Sequence, residues 1–182
     1  MRTLETERLV LRPWALTDAE VFYAFASDPE VGPRAGWPPV ASLEEARERI
    51  LEYLRKGGNW AVALRETGEV IGGTGYFDDP HREPALESKM IFYHFSQKHW
   101  GHGYAPEAVR ELLRYLFEDV GVAMVAVGHF SFNDGSRRVI EKCGFTYECT
   151  LRGAYHRRYD AQQFDELCYS MTLAEYRGRR NG

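Results

Sequence analysis

The spacing of apolar positions changes several times along the chain, and each change predicts an element. Arg8 to Arg12 alternates polar and apolar residues, the pattern of a short strand. Two amphipathic segments follow, each opened by a hydroxyl residue three positions ahead of a glutamate: Thr17 with Glu20, and Ser42 with Glu45. In such a capping box the hydroxyl and carboxylate satisfy each other's backbone amides, so each pair predicts a helix start. Apolar residues then recur at helical spacing, as Val21, Phe22 and Phe25 in the first segment and Ala46, Ile50, Tyr53 and Leu54 in the second. The Pro/Gly-rich stretch VGPRAGWPPV, Val31 to Val40, reads as the loop between them.

After the break at Gly57 and Gly58, Asn59 to Leu64 and Val70 to Tyr76 predict two antiparallel strands, joined by the turn Glu66-Thr67-Gly68-Glu69. A polar loop, DDPHREPALE, leads to Lys89 to Phe95, whose large residues on both faces suit a central strand. Beyond the stretch HWGHGYAP, Val109, Leu112, Leu113, Leu116 and Phe117 make one helical stripe. Met124 to Val127 predicts a short strand, and Asn133 to Cys143 a helix stopped by Gly144. Thr146 to Leu151 and Phe164 to Thr172 read as two strands around the polar excursion RGAYHRRYDAQQ. This order of elements describes an α/β sandwich with a mixed sheet.

A length of 182 residues suits one domain over 1–182 with a single sizeable core. The formal net charge is -4, with Lys and Arg interspersed among Asp and Glu, which argues against nucleic acid as a partner. Cys143, Cys149 and Cys168 are odd in number and lack CxxC spacing, so neither a disulfide framework nor a zinc knuckle is indicated, and a reducing, cytoplasmic setting is expected. The start, MRTLETERLVLRPW, has no apolar core of a signal peptide, and no apolar run could span a bilayer, so no membrane association is expected.

The chemistry concentrates in HWGHGYAPEA. A strand that turns through glycines into a helix presents unpaired amides and the positive end of the helix dipole, which together suit a phosphate. Gly101 and Gly103 would let the backbone close on such a group, and Pro106 falls where a missing amide is not needed. The alternative is a plain connection whose glycines serve only the turn. The loop has no Gly-Lys-Ser/Thr of a Walker A motif, and Pro106 stands where a Rossmann fingerprint would have its third glycine. His94, His99 and His102 lack a carboxylate partner and the i, i+4 spacing of a metal site, so no metal is expected; His102 suits a phosphate better.

In NDGSRRVIEKCGF, Ser136, Val139, Ile140 and Cys143 fall on one helical face, which directs the serine hydroxyl inward near the helix start. The local alternative is that Asn133 caps the helix and Ser136 bonds to backbone.

Taken together, QKHWGHGYAPEA and NDGSRRVIEKCGF resemble the GNAT acetyltransferases, in particular the ribosomal-protein N-acetyltransferase-like (RimJ/RimL-like) branch. The opening ERLVLRPW and the closing GFTYECTLRGAY and DELCYSM resemble the same branch, so the likeness runs from about Glu7 to Tyr176. It implies the GNAT (acyl-CoA N-acyltransferase) fold, with a central mixed, mostly antiparallel sheet flanked by helices. It also implies acetyl-CoA as cosubstrate, its pyrophosphate held by backbone from His99 through Trp100, Gly101, His102, Gly103 and Tyr104 to Ala105. The pantetheine arm would pair like an added strand where the strand ending at Phe95 splays from that at Met124, with an amide at Phe95 or Ser96 polarising the thioester and Asn133 steadying the arm.

By the same resemblance Ser136 serves the departing thiolate. The base would be a carboxylate in the loop before Lys89, where Asp78, Asp79, Glu83 and Glu87 stand, Glu83 being the first choice because the Glu-Pro pair resembles the ribosomal-protein enzymes. Trp37 is expected to bind acceptor. Tyr155, His156, Arg157, Arg158 and Tyr159 form a basic, aromatic tip that suits an acceptor entrance or a homodimer contact. The implied activity is N-acetylation of a primary amine, a protein N-terminal amine first. A small amine such as a polyamine, amino acid or antibiotic is the second reading, and a non-catalytic acyl-CoA-binding protein the third.

Overall fold

A computed structural model describes residues 1–157 and 161–180. The start of the chain forms β1 (Leu4–Glu5) and β2 (Leu9–Pro13), paired antiparallel with Leu4 opposite Leu11. The remaining strands are β3 (Asn59–Leu64), β4 (Val70–Asp78), β5 (Ser88–Phe95), β6 (Met124–Phe130), β7 (Thr146–Arg157) and β8 (Gln162–Thr172). Their hydrogen-bonded order is β1-β2-β3-β4-β5-β6-β8-β7. The helices are α1 (Ala19–Ala26), α2 (Leu43–Lys56), α3 (Tyr104–Arg114), α4 (Asp134–Cys143) and α5 (Leu173–Arg180). β5 and β6 pair in parallel, whereas β1 with β2, β2 with β3, β3 with β4, β6 with β8 and β7 with β8 pair antiparallel, so the sheet is mixed and mostly antiparallel, as the motifs implied.

The chain forms two compact units: Met1–Gly75 with Tyr93–Glu111, and Tyr76–Phe92 with Leu112–Gly182. In the first, α1 and α2 bury an aromatic core. Trp14 meets Phe22 edge-on at 5.3 Å, Phe22 meets Phe25 at 5.4 Å, and Ile50, Ala61 and Val70 complete the cluster. Each buried Phe, Ile or Val side chain of this cluster contributes about 1.5–3 kcal/mol relative to exposure. Helix α2 starts where expected, with half of the expected box: the Ser42 hydroxyl accepts the Glu45 amide at 3.1 Å, but the Glu45 carboxylate takes the amide of Ala41, one residue earlier, at 2.8 Å. The box expected of Thr17 and Glu20 does not form. A 3-10 turn, Leu16–Asp18, precedes α1, and Asp18 instead accepts the Ala15 amide and a bidentate pair from Arg12.

In the second unit β6 is longer than expected, and β7 takes in the first half of the excursion RGAYHRRYDAQQ. Its ladder with β8 shifts register between Tyr147 and Cys149 and again between Leu151 and Tyr155, with Gly153 at φ +62°. Irregularities of this kind bend a strand without ending it. The tip residues Arg158 and Tyr159 lie outside the described residues. Helix α3 continues into a wide turn, Tyr115–Val120, where Phe117 stacks on Tyr176 of α5 at 4.7 Å. Helix α5 was not foreseen; it opens on Thr172 and Glu175, whose side chains each bond to the other's backbone amide, at 2.8 and 3.2 Å.

Within the first unit, β4 approaches β5 closely because it lacks side chains at Gly72 and Gly73. A Cβ at Gly72 would stand 2.3 Å from the carbonyl oxygen of His94, and one at Gly73 would stand 2.8 Å from the His94 Nε2. Backbone cannot yield as a side chain can. Gly72→Ala is therefore expected to destabilise the protein by about 1–3 kcal/mol, the usual range for overpacking, read as a lower midpoint in urea unfolding; an unchanged midpoint would contradict this packing.

Candidate active site

The glycine loop lies in the first unit and is built in three steps. Strand β5 ends at Phe95, and the Ser96 amide donates to Ile71 of β4 at 2.9 Å. A 3-10 turn over Gln97–His99 then reverses the chain, closed by Trp100 N–H to the Gln97 carbonyl at 3.1 Å and by the Trp100 indole N–H to the Phe95 carbonyl at 2.9 Å. Gly101 and Gly103 follow at φ +82° and +81°, a left-handed conformation that glycine adopts without strain. The amides of Gly101, His102, Gly103, Tyr104 and Ala105 find no acceptor among the described residues. They stand at the positive end of α3, as an anion site requires.

A Cβ at Gly101 would meet nothing within 4 Å, and one at Gly103 only Arg8 at 3.5 Å. The backbone conformation, rather than crowding from this chain, is thus what requires glycine here.

Sequence reasoning missed what fixes the loop. Glu107, in the first turn of α3, accepts from the Thr6 hydroxyl at 2.6 Å, the Arg8 amide at 2.8 Å and the Arg8 Nε at 2.7 Å. Arg8 in turn donates to the His102 carbonyl at 3.0 Å and lies over the Tyr104 ring at 4.8 Å. Burial alone would raise the Glu107 carboxyl, but the bonds from Thr6 and Arg8 outweigh it and hold it below the usual range. The signal was present in ERL and PEA; only the pairing across the chain was invisible.

The other predicted residues of this unit are placed as follows. Lys98 pairs with Glu69 at 2.6 Å. His99 stands 3.8 Å from the same glutamate, its Nδ1 is buried without a hydrogen bond, and burial lowers its pKa. Trp100 is 40% exposed, with Arg34 over its ring at 5.7 Å. Trp37 is half-buried between Arg49, at 5.0 Å, and His94, at 5.8 Å. His94 is enclosed by Phe22, Phe25 and Trp37, and burial pushes its pKa down to about 4, so it is neutral at physiological pH.

In the second unit Asn133 is the N-cap of α4, its side chain accepting the Ser136 amide at 3.1 Å. The capping alternative therefore holds for Asn133. Ser136 is partly buried on the first turn, on the helix whose Ile140 and Cys143 are buried.

The four candidate carboxylates separate clearly. Asp79 is buried and accepts from the His81 amide, Arg82 and Ser88, at 2.9, 2.6 and 2.9 Å, and these donors overcome burial to lower its pKa. Asp78 is paired with Lys89. Glu83 and Glu87 are exposed, and no side chain engages them among the described residues. No group of three His, Cys, Asp or Glu is placed to hold a metal among those residues, nor is any helix long and apolar enough to cross a membrane.

Strand, left-handed turn and unpaired helix start are the frame of this site, and comparison with known proteins gives the class of the chain. A family model described as an acetyltransferase (GNAT) domain matches residues 8–146. The uncharacterized N-acetyltransferase YoaA of Bacillus subtilis is 31% identical over 174 residues, covering 93% of this chain and 96% of that protein. The FsC-acetyl coenzyme A-N(2)-transacetylase of Aspergillus fumigatus is 30% identical over 184 residues, covering 96% and 77%. A GNAT acetyltransferase crystal structure from Bacillus anthracis superposes with a TM-score of 0.84 at 22% identity, over 96% of this chain and all of that one. The chain belongs to the GNAT acetyltransferase family, and it is an N-acetyltransferase.

The lock on the loop has a pH signature. Because the folded Glu107 carboxyl lies below its unfolded value of about 4.3, its stabilisation is fully present above that pH and is lost as pH falls through the folded pKa. Glu107→Gln is expected to lower stability at pH 7 by about 1–3 kcal/mol, the scale of hydrogen bonds to a charged group. Denaturant titrations of the two proteins should converge in strong acid; an equal gap at all pH values would contradict the assignment.

Proposed function

We propose that the protein transfers an acetyl group from acetyl-CoA to a primary amine by direct attack. The observation that carries this reading is the row of unpaired amides from Gly101 to Ala105, held in a left-handed turn at the start of α3 by the Arg8 and Glu107 lock. These amides, with His99, Trp100 and His102 beside them, would hold the diphosphate. Acetyl-CoA supplies the activated acetyl group as a thioester.

Phe95 is proposed as the amide that polarises the thioester carbonyl. Successive amides point to opposite edges of a strand, and since the Ser96 N–H is bonded to Ile71, that of Phe95 is directed away from β4. Ser96 is thereby unavailable for that role. A bond must form from the amine nitrogen to the acetyl carbon as the carbon–sulfur bond breaks. The amine's proton has to leave, and Glu83, whose carboxylate is exposed and unengaged, is proposed to take it. Ser136 donates a hydrogen bond to the departing thiolate, and Asn133, by capping α4, fixes the turn from which that hydroxyl projects. Trp37 is proposed to contact the acceptor.

For the acceptor, resemblance to the RimJ/RimL-like branch favours a protein N-terminal amine, while the Aspergillus relative is named for N(2)-transacetylation of FsC rather than of a protein N-terminus. The second reading is therefore a small-molecule amine.

Thermal unfolding with acetyl-CoA, CoA, ATP and NAD tests the donor, because a ligand that binds only the native state raises the melting temperature. A rise with the CoA species alone is expected, and its absence at saturation would overturn the donor assignment. Ser136→Ala is expected to lower kcat with CoA binding retained; an unchanged rate would remove the serine from the mechanism. Gly103→Val should abolish the CoA shift, since a branched side chain cannot hold the left-handed turn without strain.

A further inference from the structure

One face of the second unit carries a cavity that none of the motifs accounts for. Its volume is about 250 Å3, and Arg82, Met90, Ala126, Glu148, Cys149 and Cys168 contribute to its walls. The registers explain why these side chains meet. Met90 is opposite Ala126, Ala126 opposite Ser170, and Cys149 opposite Cys168, so all project from one face of β5, β6, β8 and β7.

The next positions on that face are Gly128 of β6, opposite Cys168, and Glu166 of β8, opposite both Phe130 and Leu151. The Glu166 carboxylate lies flat against the β6 backbone: a Cβ at Gly128 would stand 2.5 Å from its Oε1. Any other residue at 128 would push the carboxylate aside.

Charge on this face is not balanced. Arg82 is answered by Asp79 and Glu148, at 2.6 Å each, and Glu148 also accepts from the Ser170 hydroxyl at 2.7 Å. Glu166 is half-buried, and no hydrogen bond or ion pair reaches its carboxylate among the described residues. Its field nevertheless reaches the cavity wall. The Cys168 thiol is pushed up to about 12, first by burial and then by the charge of Glu166, and so stays neutral near pH 7. A half-buried carboxylate without a partner, on the face whose cavity is lined in part by Met90, Ala126 and Leu151, suits an alkylammonium, whose charge it would meet in a charge-assisted hydrogen bond while the carbon chain packs on those three side chains.

We infer that this face binds the amine acceptor, with Glu166 receiving its ammonium group and Gly128 providing the space in which the carboxylate lies. The inference rests on the amine acetyltransferase reading above and extends it to the substrate's binding group.

The test is thermal unfolding of the CoA-saturated protein with butylamine, spermidine and alanine amide, and with butanol as an uncharged control. The amines are expected to add a further rise in melting temperature, and butanol none. Glu166→Gln should lose the amine-induced rise while keeping that induced by CoA, which shows that the variant is folded. Gly128→Ala, which keeps the charge but displaces it, should weaken the amine-induced rise. An amine effect that survives in Glu166→Gln, or a CoA effect without any amine effect in the unaltered protein, would overturn the site. A missing CoA effect in the unaltered protein would instead strike the donor assignment.

Discussion

A single carboxylate organises the proposed donor-binding loop. Glu107 gathers a hydroxyl, a backbone amide and a guanidinium from Thr6 and Arg8, and the same guanidinium reaches the carbonyl of His102 and covers Tyr104. A turn with two left-handed glycines one residue apart has many conformations to lose, so some contact must select one. Here the selecting contact comes from the start of the sequence, 99 residues away from Glu107 at Arg8. The amides of residues 101–105 are aimed before any ligand arrives, and preorganisation of this kind reduces the ordering a ligand must impose on binding.

The second unit is organised by a different principle. Asp79, Arg82, Glu148 and Ser170 form a chain of charge-assisted bonds that ties the loop after β4 to β7 and β8. Every member has its partner, as buried polar groups require. Against that background an unanswered carboxylate stands out, which is why Glu166 rather than the better-buried Asp79 attracts attention.

How far these features could be read from sequence depends on the distance over which each is encoded. Helix α2, the left-handed glycines and the cap at Asn133 are local, and their residue types alone predict them. The missed α5 was also local, since Thr172 and Glu175 have the same spacing as Ser42 and Glu45; a strand pattern running into Thr172 drew attention away from it. Thr17 misled because Asp18 next to it is a stronger acceptor with Arg12 in reach. The extension of β7 through Gly153 was hidden by a register shift, which breaks the two-residue alternation on which strand reading depends. The pairing of Arg8 with Glu107, and of Glu166 with the space over Gly128, involves residues far apart in sequence, and neither composition nor period carries that information.

The cysteines give the second unit an internal reporter. Cys143 and Cys168 are buried, and the thiol of Cys168 is held protonated far above neutrality, whereas Cys149 is exposed directly across the ladder from it. Reactivity follows thiolate character and access. A maleimide dye added to the unmodified protein near neutral pH will therefore settle on Cys149, placing a fluorophore on the wall of the cavity without any change to the sequence.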